Sequence, residues 1–180
     1  MILAAILLMG AANVNAQKYF TREAKVSFFS DTPLEKIEAL NNAATSVIDA
    51  ESGRLEFAIL IKAFQFEKAL MQEHFNENYM ESSQYPKSTF KGQLVDASAV
   101  DFGKDGTYPV KVAGTLTIHG VAKEIEADGQ IDIKNGVPSA TSSFEVAVAD
   151  YGIKIPAVVR DNIAKTVRID MSADYQPLNK

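Results

Sequence analysis

Residues 110–132 read VKVAGTLTIHGVAKEIEADGQID, and their alternation decides the fold. In the first half, Val110, Val112, Gly114, Leu116 and Ile118 alternate with Lys111, Ala113, Thr115 and Thr117. In the second, Val121, Lys123, Ile125, Ala127, Gly129 and Ile131 alternate with Ala122, Glu124, Glu126, Asp128, Gln130 and Asp132. A period of two puts each set on its own face of a strand, one mostly apolar and one polar. Only His119-Gly120 separates the two strands, and a two-residue link between alternating runs predicts a tight antiparallel hairpin.

The same period recurs to either side. Leu55, Phe57, Ile59, Ile61 and Ala63 form one face of a predicted strand, and Val167, Ile169, Met171, Ala173 and Tyr175 form one face of another. Shorter runs stand at Phe90-Gly92-Leu94 and Phe144-Val146-Val148, with further strands expected over Lys18–Phe29 and Ala44–Ala50. Turn-formers divide them: Glu51-Ser52-Gly53, Gly103-Lys104-Asp105-Gly106 and Asn135-Gly136, the last a second hairpin candidate. Two segments carry helical spacing. Leu34, Ile37, Leu40 and Ala44 predict a helix over Pro33–Asn42 with Asp31 as its N-cap, and Leu70, Met71 and Phe75 predict one over Glu67–Asn78, placed to cap one end of a sheet.

The expected fold class is therefore all-β with short helices, an eight-stranded antiparallel sandwich or barrel. An eight-stranded barrel is either filled by its own side chains or wide enough for one small ligand. The inward glycines and alanines (Ala63, Gly92, Gly114, Ala127, Gly129) fit both, since small residues leave volume and glycines also let strands bend or approach closely. If the barrel holds a ligand, its wall is read from the apolar faces. That wall comprises Phe57, Ile59 and Ile61, then Phe90 and Leu94, then Val112, Leu116, Ile118 and Ile125, and finally Phe144, Val146, Ile169 and Met171. Pockets for apolar molecules are mostly hydrophobic and aromatic with few polar groups.

Composition narrows the function classes. The chain has 180 residues, enough for one domain, with 47% hydrophobic and 23% charged residues and a net charge of -5. No basic excess exists to recruit nucleic acid. The absence of cysteine removes disulfides, thiol nucleophiles and thiolate metal sites. No nucleophile elbow, phosphate loop, dinucleotide fingerprint or zinc-protease motif occurs, and the only histidines are His74 in a predicted helix and His119 in a predicted hairpin. Glu124, Glu126 and Asp128 share one strand face, which a solvated outer surface explains. Asp150–Pro156 breaks the strand pattern and reads as a loop over one barrel mouth, with Lys154 and Arg160 nearby as solvated loop charges. Neither an enzyme nor a cofactor or metal site is expected.

The first segment reads as an address. Residues 1–16 are MILAAILLMGAANVNA; the apolar run Ile2–Met9 is far short of the roughly 20 residues a membrane span needs and fits the apolar region of a secretory signal. Val14-Asn15-Ala16 places cleavage before Gln17, so the expected organisation is a signal peptide over 1–16 and one domain over 17–180. The location this implies is the periplasm or the exterior.

The residues also carry a family resemblance. Val112-Ala113-Gly114-Thr115-Leu116-Thr117-Ile118-His119-Gly120-Val121-Ala122-Lys123 resembles the G-x-L-T-[IL]-H-G-V-x-K hairpin of the YceI-like family. Ser143-Phe144-Glu145 through Asp150-Tyr151-Gly152-Ile153 is similar to its F-x-[IV]…D-[FY]-G-[IV] segment, and Tyr85-Pro86-Lys87-Ser88-Thr89-Phe90 to its [YF]-P-x-[AIS]-x-F strand entry. Asp31–Asn42 and the apolar run Phe57–Phe66 depart from the family pattern. The resemblance implies an extended, lipocalin-like barrel, often exported, holding a long isoprenoid such as a quinone or polyprenyl lipid. The expected partner is then a long-chain lipid, with no stable membrane insertion, and a homodimer compatible with the reading. The competing expectation is a filled barrel that serves as a stress-related interaction module without a lipid.

Overall fold

The computed structural model describes residues 18–178, so the predicted signal peptide lies outside the described residues. The long strands are β1 (Lys18–Asp31), β2 (Lys36–Asp49) and β3 (Arg54–Leu60), followed by the short β4 (Gln65–Phe66) and helix α1 (Ala69–His74). Then come β5 (Lys87–Leu94), β6 (Gly106–Ile118), β7 (Val121–Lys134), β8 (Val137–Ala147), β9 (Thr166–Asp174) and the short β10 (Gln176–Pro177). Pairing runs β1-β9-β8-β7-β6-β5-β3-β2, and β2 returns to β1, so eight antiparallel strands close into a barrel. Closure removes the exposed strand edges that an open sheet would present.

The hairpin at the centre of the sequence forms in full register from Ile118 against Val121 to Gly106 against Ile133. His119 and Gly120 both take positive φ, 51° and 74°, as does the pair Asn135 (53°) and Gly136 (73°). Both pairs thus supply the left-handed residues that a two-residue turn of this twist requires. On the outer face Thr115 Oγ1 donates to Glu124 Oε1, and Lys111 reaches Glu126 at 3.9 Å and Asp128 at 3.3 Å. The acidic face is therefore a solvated exterior, as its alternation predicted.

The two inward glycines of the middle strands fall opposite one another, Gly92 on β5 and Gly114 on β6. A Cβ on Gly92 would lie 2.4 Å from the Ala113 carbonyl, and one on Gly114 would lie 2.4 Å from the Gly92 Cα. These glycines permit close approach of two backbones rather than opening space. Ala127 and Gly129 instead border a cavity.

The helix expected over Pro33–Asn42 is not there. Thr32 closes a tight turn, its Oγ1 accepting from the amides of Leu34 (3.3 Å) and Glu35 (3.1 Å), and β2 follows. The inward positions of β2 are Ile37, Ala39 and Asn41, then Ala44, Ser46 and Ile48, with an irregularity between the sets where β1 shifts register at Ala24. A buried asparagine, two alanines and a serine hide the period of two, while the outward Leu40 completes a misleading helical spacing. Asn41 is fully buried and satisfied: its Nδ2 donates to the Leu60 carbonyl at 2.9 Å, and its Oδ1 accepts from the Ala43 amide at 2.9 Å. The second predicted helix forms as α1, continued by a wider turn over Phe75–Tyr79.

The two barrel ends differ. One end carries the β2–β3 turn, the β7–β8 hairpin and the 95–105 loop, and side chains close it. Tyr19 stacks on Phe102 with ring centres 6.1 Å apart, and Leu94, Val100, Ile131, Ile133 and Tyr175 are buried beneath. Tyr175 bonds Ser46 Oγ at 2.8 Å, and burial pushes its phenol up to about 12 against the opposing pull of that bond. The other end carries the β1–β2 and β6–β7 turns and two long crossovers, residues 61–86 and 148–165. Alternation fixes inside and outside but not top and bottom; the crossovers make that second distinction.

Candidate functional site

The crossover end is hollow. A cavity of about 470 Å³ lies beneath the two crossovers, within the range of roughly 300–1,000 Å³ seen for ligand pockets. A second cavity of about 90 Å³ sits deeper, toward the packed end. Val26, Ile59, Leu116, Phe144 and Ile169 border both and form a waist between them. Both are apolar, and they lie one below the other along the barrel.

The strand register builds the waist. Phe28, Ile169 and Phe144 are cross-strand neighbours on β1, β9 and β8, and Phe57, Phe90 and Leu116 form a corresponding row on β3, β5 and β6. Each wall residue read from the sequence borders one cavity or the other. Ile61, Ile118 and Val146 line the larger; Phe57, Phe90, Leu94, Val112, Ile125 and Met171 line the smaller; Ile59, Leu116, Phe144 and Ile169 line both. One detail differs: β3 ends at Leu60, and Ile61 reaches the cavity from a turn of 3₁₀-helix, its amide donating to the Pro86 carbonyl at 3.0 Å. Lys123, on the same predicted face, is exposed near the hairpin turn.

The crossovers add residues to those of the strands. Phe28, Phe64, Phe66 and Phe75 form an aromatic cluster over the larger cavity. Phe75 stacks on Phe28 at 5.3 Å and meets Phe64 and Phe66 at 5.6 and 5.0 Å. Pairs at such separations add to simple area burial. From the other crossover, Tyr151, Ile153 and Ile155 face the cavity. The Asp150–Pro156 loop therefore lies over the mouth, and Lys154 beside it is exposed. Phe75 belongs to the helical stripe predicted over Glu67–Asn78, and Ile153 and Ile155 to the predicted mouth loop, whereas Phe64 sits in a turn with no such signal.

Three polar side chains meet at the mouth. Asn162 Nδ2 donates to Glu35 Oε2 at 3.1 Å, and Lys68 Nζ stands 3.9 Å from Glu35 Oε1. These contacts join the β1–β2 turn, the start of α1 and the second crossover. Ser30 Oγ accepts from the Ala164 amide at 2.8 Å just below. All of these except Ala164 also border the cavity, as does His74.

His119 holds the opposite side of this end together. Its Nδ1 donates to the Tyr151 carbonyl at 3.2 Å, and its Nε2 lies 2.8 Å from Glu81 Oε2. Tyr85 packs edge-on against the ring with centres 4.5 Å apart, and the same tyrosine leaves no room for a Cβ at Gly120, which would come within 2.5 Å. The hairpin histidine thus ties both crossovers to β6 and β7.

A model of the YceI-like domain matches residues 18–175. The chain belongs to the YceI-like family. Its barrel is similar to a polyisoprenoid-binding domain from Saccharophagus degradans implicated in plant cell wall breakdown, with TM-score 0.76, 18% identity, and coverage of 89% of this chain and 98% of that one. It is also similar to BcnA of Burkholderia cenocepacia, with TM-score 0.68, 16% identity, and coverage of 83% and 94%. The YceI protein of Campylobacter jejuni gives TM-score 0.59, 18% identity, and coverage of 79% and 85%. No curated protein matches the chain in sequence. At these identities the YceI-like likeness is one of fold, and the contents of the cavity rest on this chain's own residues.

Proposed function

We propose that this YceI-like protein is an exported carrier or store for one long-chain isoprenoid or similar apolar lipid, held lengthwise in the barrel. The observation that carries the reading is the apolar cavity of about 470 Å³ at the crossover end, with a second of about 90 Å³ beyond the waist. A long, flexible, apolar chain suits that shape. Each buried methylene contributes roughly 0.8 kcal/mol at most, so affinity grows with chain length. Glu35, Lys68 and Asn162 supply an acceptor and donors at the mouth, which suits a neutral head bearing carbonyl or hydroxyl groups. The description of the Saccharophagus degradans domain as polyisoprenoid-binding points the same way. Export rests on the signal-like residues 1–16, with a mature amino terminus expected at Gln17.

Lipid-free protein titrated with a polyprenyl alcohol or a long-chain quinone should bind one molecule per barrel. At ligand about a hundredfold above Kd, linkage adds about 2.7 kcal/mol, which raises Tm by roughly 5–10 °C for a domain of this size. No bound species by native mass spectrometry, with Tm unmoved, would favour the filled-barrel interaction module instead.

A further inference from the structure

Backbone strain among the described residues gathers on one contact. The residues other than glycine with positive φ are Glu81 (42°), His119 (51°) and Asn135 (53°). His119 and Asn135 belong to hairpin turns that require such residues. Glu81 sits in no hairpin, yet its Oε2 lies 2.8 Å from His119 Nε2. The amides of Gln84 and Tyr85 donate to the Glu81 carbonyl at 2.8 and 2.9 Å and hold the residue in that conformation. A costly backbone that aims one carboxylate at one imidazole points to a working contact.

The chemistry of the ring gives that contact two states. His119 Nδ1 faces the Tyr151 carbonyl and Nε2 faces the Glu81 carboxylate, so both nitrogens meet oxygen acceptors. Only the imidazolium carries two N–H groups; the neutral ring has one, and its other nitrogen turns a lone pair on an oxygen. The remaining groups against the ring are the Tyr85 phenol ring, edge-on at 4.5 Å, and Gly152. Around them stand the exposed carboxylate of Asp150 and Lys62, whose Nζ donates to Ser83 Oγ at 3.5 Å. Glu81 is 51% exposed, whereas Tyr151 is buried at 3%, so water replaces the ring more readily at Glu81. Loss of a proton from the ring therefore frees the first crossover and leaves the second in place.

We propose that His119 is a pH-sensitive latch on the hollow end: the charged ring pins both crossovers to the β6–β7 hairpin, and its neutralisation releases the first crossover at Glu81. Tyr79 and Met80, which lead into Glu81, line the larger cavity, as does Tyr151. The released segment is thus part of the cavity wall, and the latch governs how easily that wall opens. The latch stands on its own geometry; its consequence for a cargo rests on the carrier reading.

Amide hydrogen exchange of the lipid-free protein, corrected for its intrinsic pH dependence, reads the latch directly. Protection of residues 80–85 should fall as pH rises from about 5 to about 8, the interval in which imidazoles titrate. The fall should be at least about threefold, the scale of a partly exposed charged pair. Glu81→Gln should abolish it, because the amide accepts from the charged ring and donates to the neutral one. His119→Asn, which suits the positive φ of the turn, should show the low protection at both pH values. His74→Gln removes the only other histidine and should keep the wild-type profile. Wild-type protection that is flat with pH, or a dependence lost in His74→Gln and kept in Glu81→Gln, would overturn the latch. In protein loaded with a labelled polyprenyl alcohol, transfer to acceptor vesicles should quicken over the same interval for wild type and not for Glu81→Gln. Transfer indifferent to pH while protection changes would overturn the latch's hold on the cavity. A protein that shows the protection profile but takes up no polyprenyl alcohol would uphold the latch and refute carriage.

Discussion

Replacing Ile59 with tryptophan should abolish uptake of a long isoprenoid while the barrel stays folded. Ile59 stands in the wall common to both cavities, on β3 where it pairs with Ser88 of β5. An indole there projects into the waist and divides the lengthwise space. The chain then has only the outer part, and every two methylenes excluded remove roughly 1.6 kcal/mol, more than a tenfold loss in affinity. Extra bulk in a well-packed core usually costs about 1–3 kcal/mol, but here the added ring has space to enter. The expected result for Ile59→Trp is a Kd for polyprenyl alcohol raised at least tenfold with little change in Tm. Leu60→Trp is the control, because Leu60 is exposed on the other face of the same strand and should leave uptake unaltered. Equal affinities for the two variants would show that the lipid does not pass the waist.

Phe64→Ala should carry the largest cost to stability. Phe64 is buried at 6% exposure and meets the rings of Phe28 and Phe75 at 5.6 Å each. Its amide donates to the Ile61 carbonyl at 3.2 Å, so the backbone cannot easily collapse into the space left. Phenylalanine-to-alanine changes at such sites cost about 3–5 kcal/mol. For a domain of this size that lowers Tm by roughly 10 °C or more. The same change removes a ring that covers the larger cavity, so a preloaded lipid should exchange faster than from wild type. Urea denaturation of the lipid-free protein reads the first effect, and transfer of a labelled lipid to acceptor vesicles reads the second. A loss below about 1 kcal/mol would mean that the aromatic cluster is not what closes this end.

The legible parts of the fold share a physical cause. Wherever one face of a strand is apolar and the other charged, as in β6, β7 and β9, alternation gave both the strand and its inner face, and the wall residues followed. Where the inner face is small or polar, the signal vanished. In β2 the inward positions hold Ala39, Asn41, Ala44 and Ser46, and the outward Leu40 mimicked a helical stripe. The crossovers were opaque for a different reason. Several of their contributions to the cavity, such as Phe64 and Asn162, come from turns in which no period exists, and only the closed barrel brings them to one end. The ambiguity of the glycines resolved in the same way. Gly92 and Gly114 proved to be a close approach because they fall opposite each other, a fact of register that neither residue carries alone.

The asymmetry of the two ends connects these observations to function. Packing of Tyr19, Phe102, Ile133 and Tyr175 closes one end, and the crossovers leave the other hollow. In the carrier reading the lipid enters at the hollow end, past the polar contacts of Glu35.

The most direct measurement is mass spectrometry of the protein isolated without detergent from its native cells, first intact under native conditions and then as an organic extract. A carrier predicts a polypeptide bearing one lipid per barrel, with an isoprenoid chain in the extract. A barrel that emerges without lipid, and that takes up neither added quinone nor polyprenyl alcohol, would contradict the account.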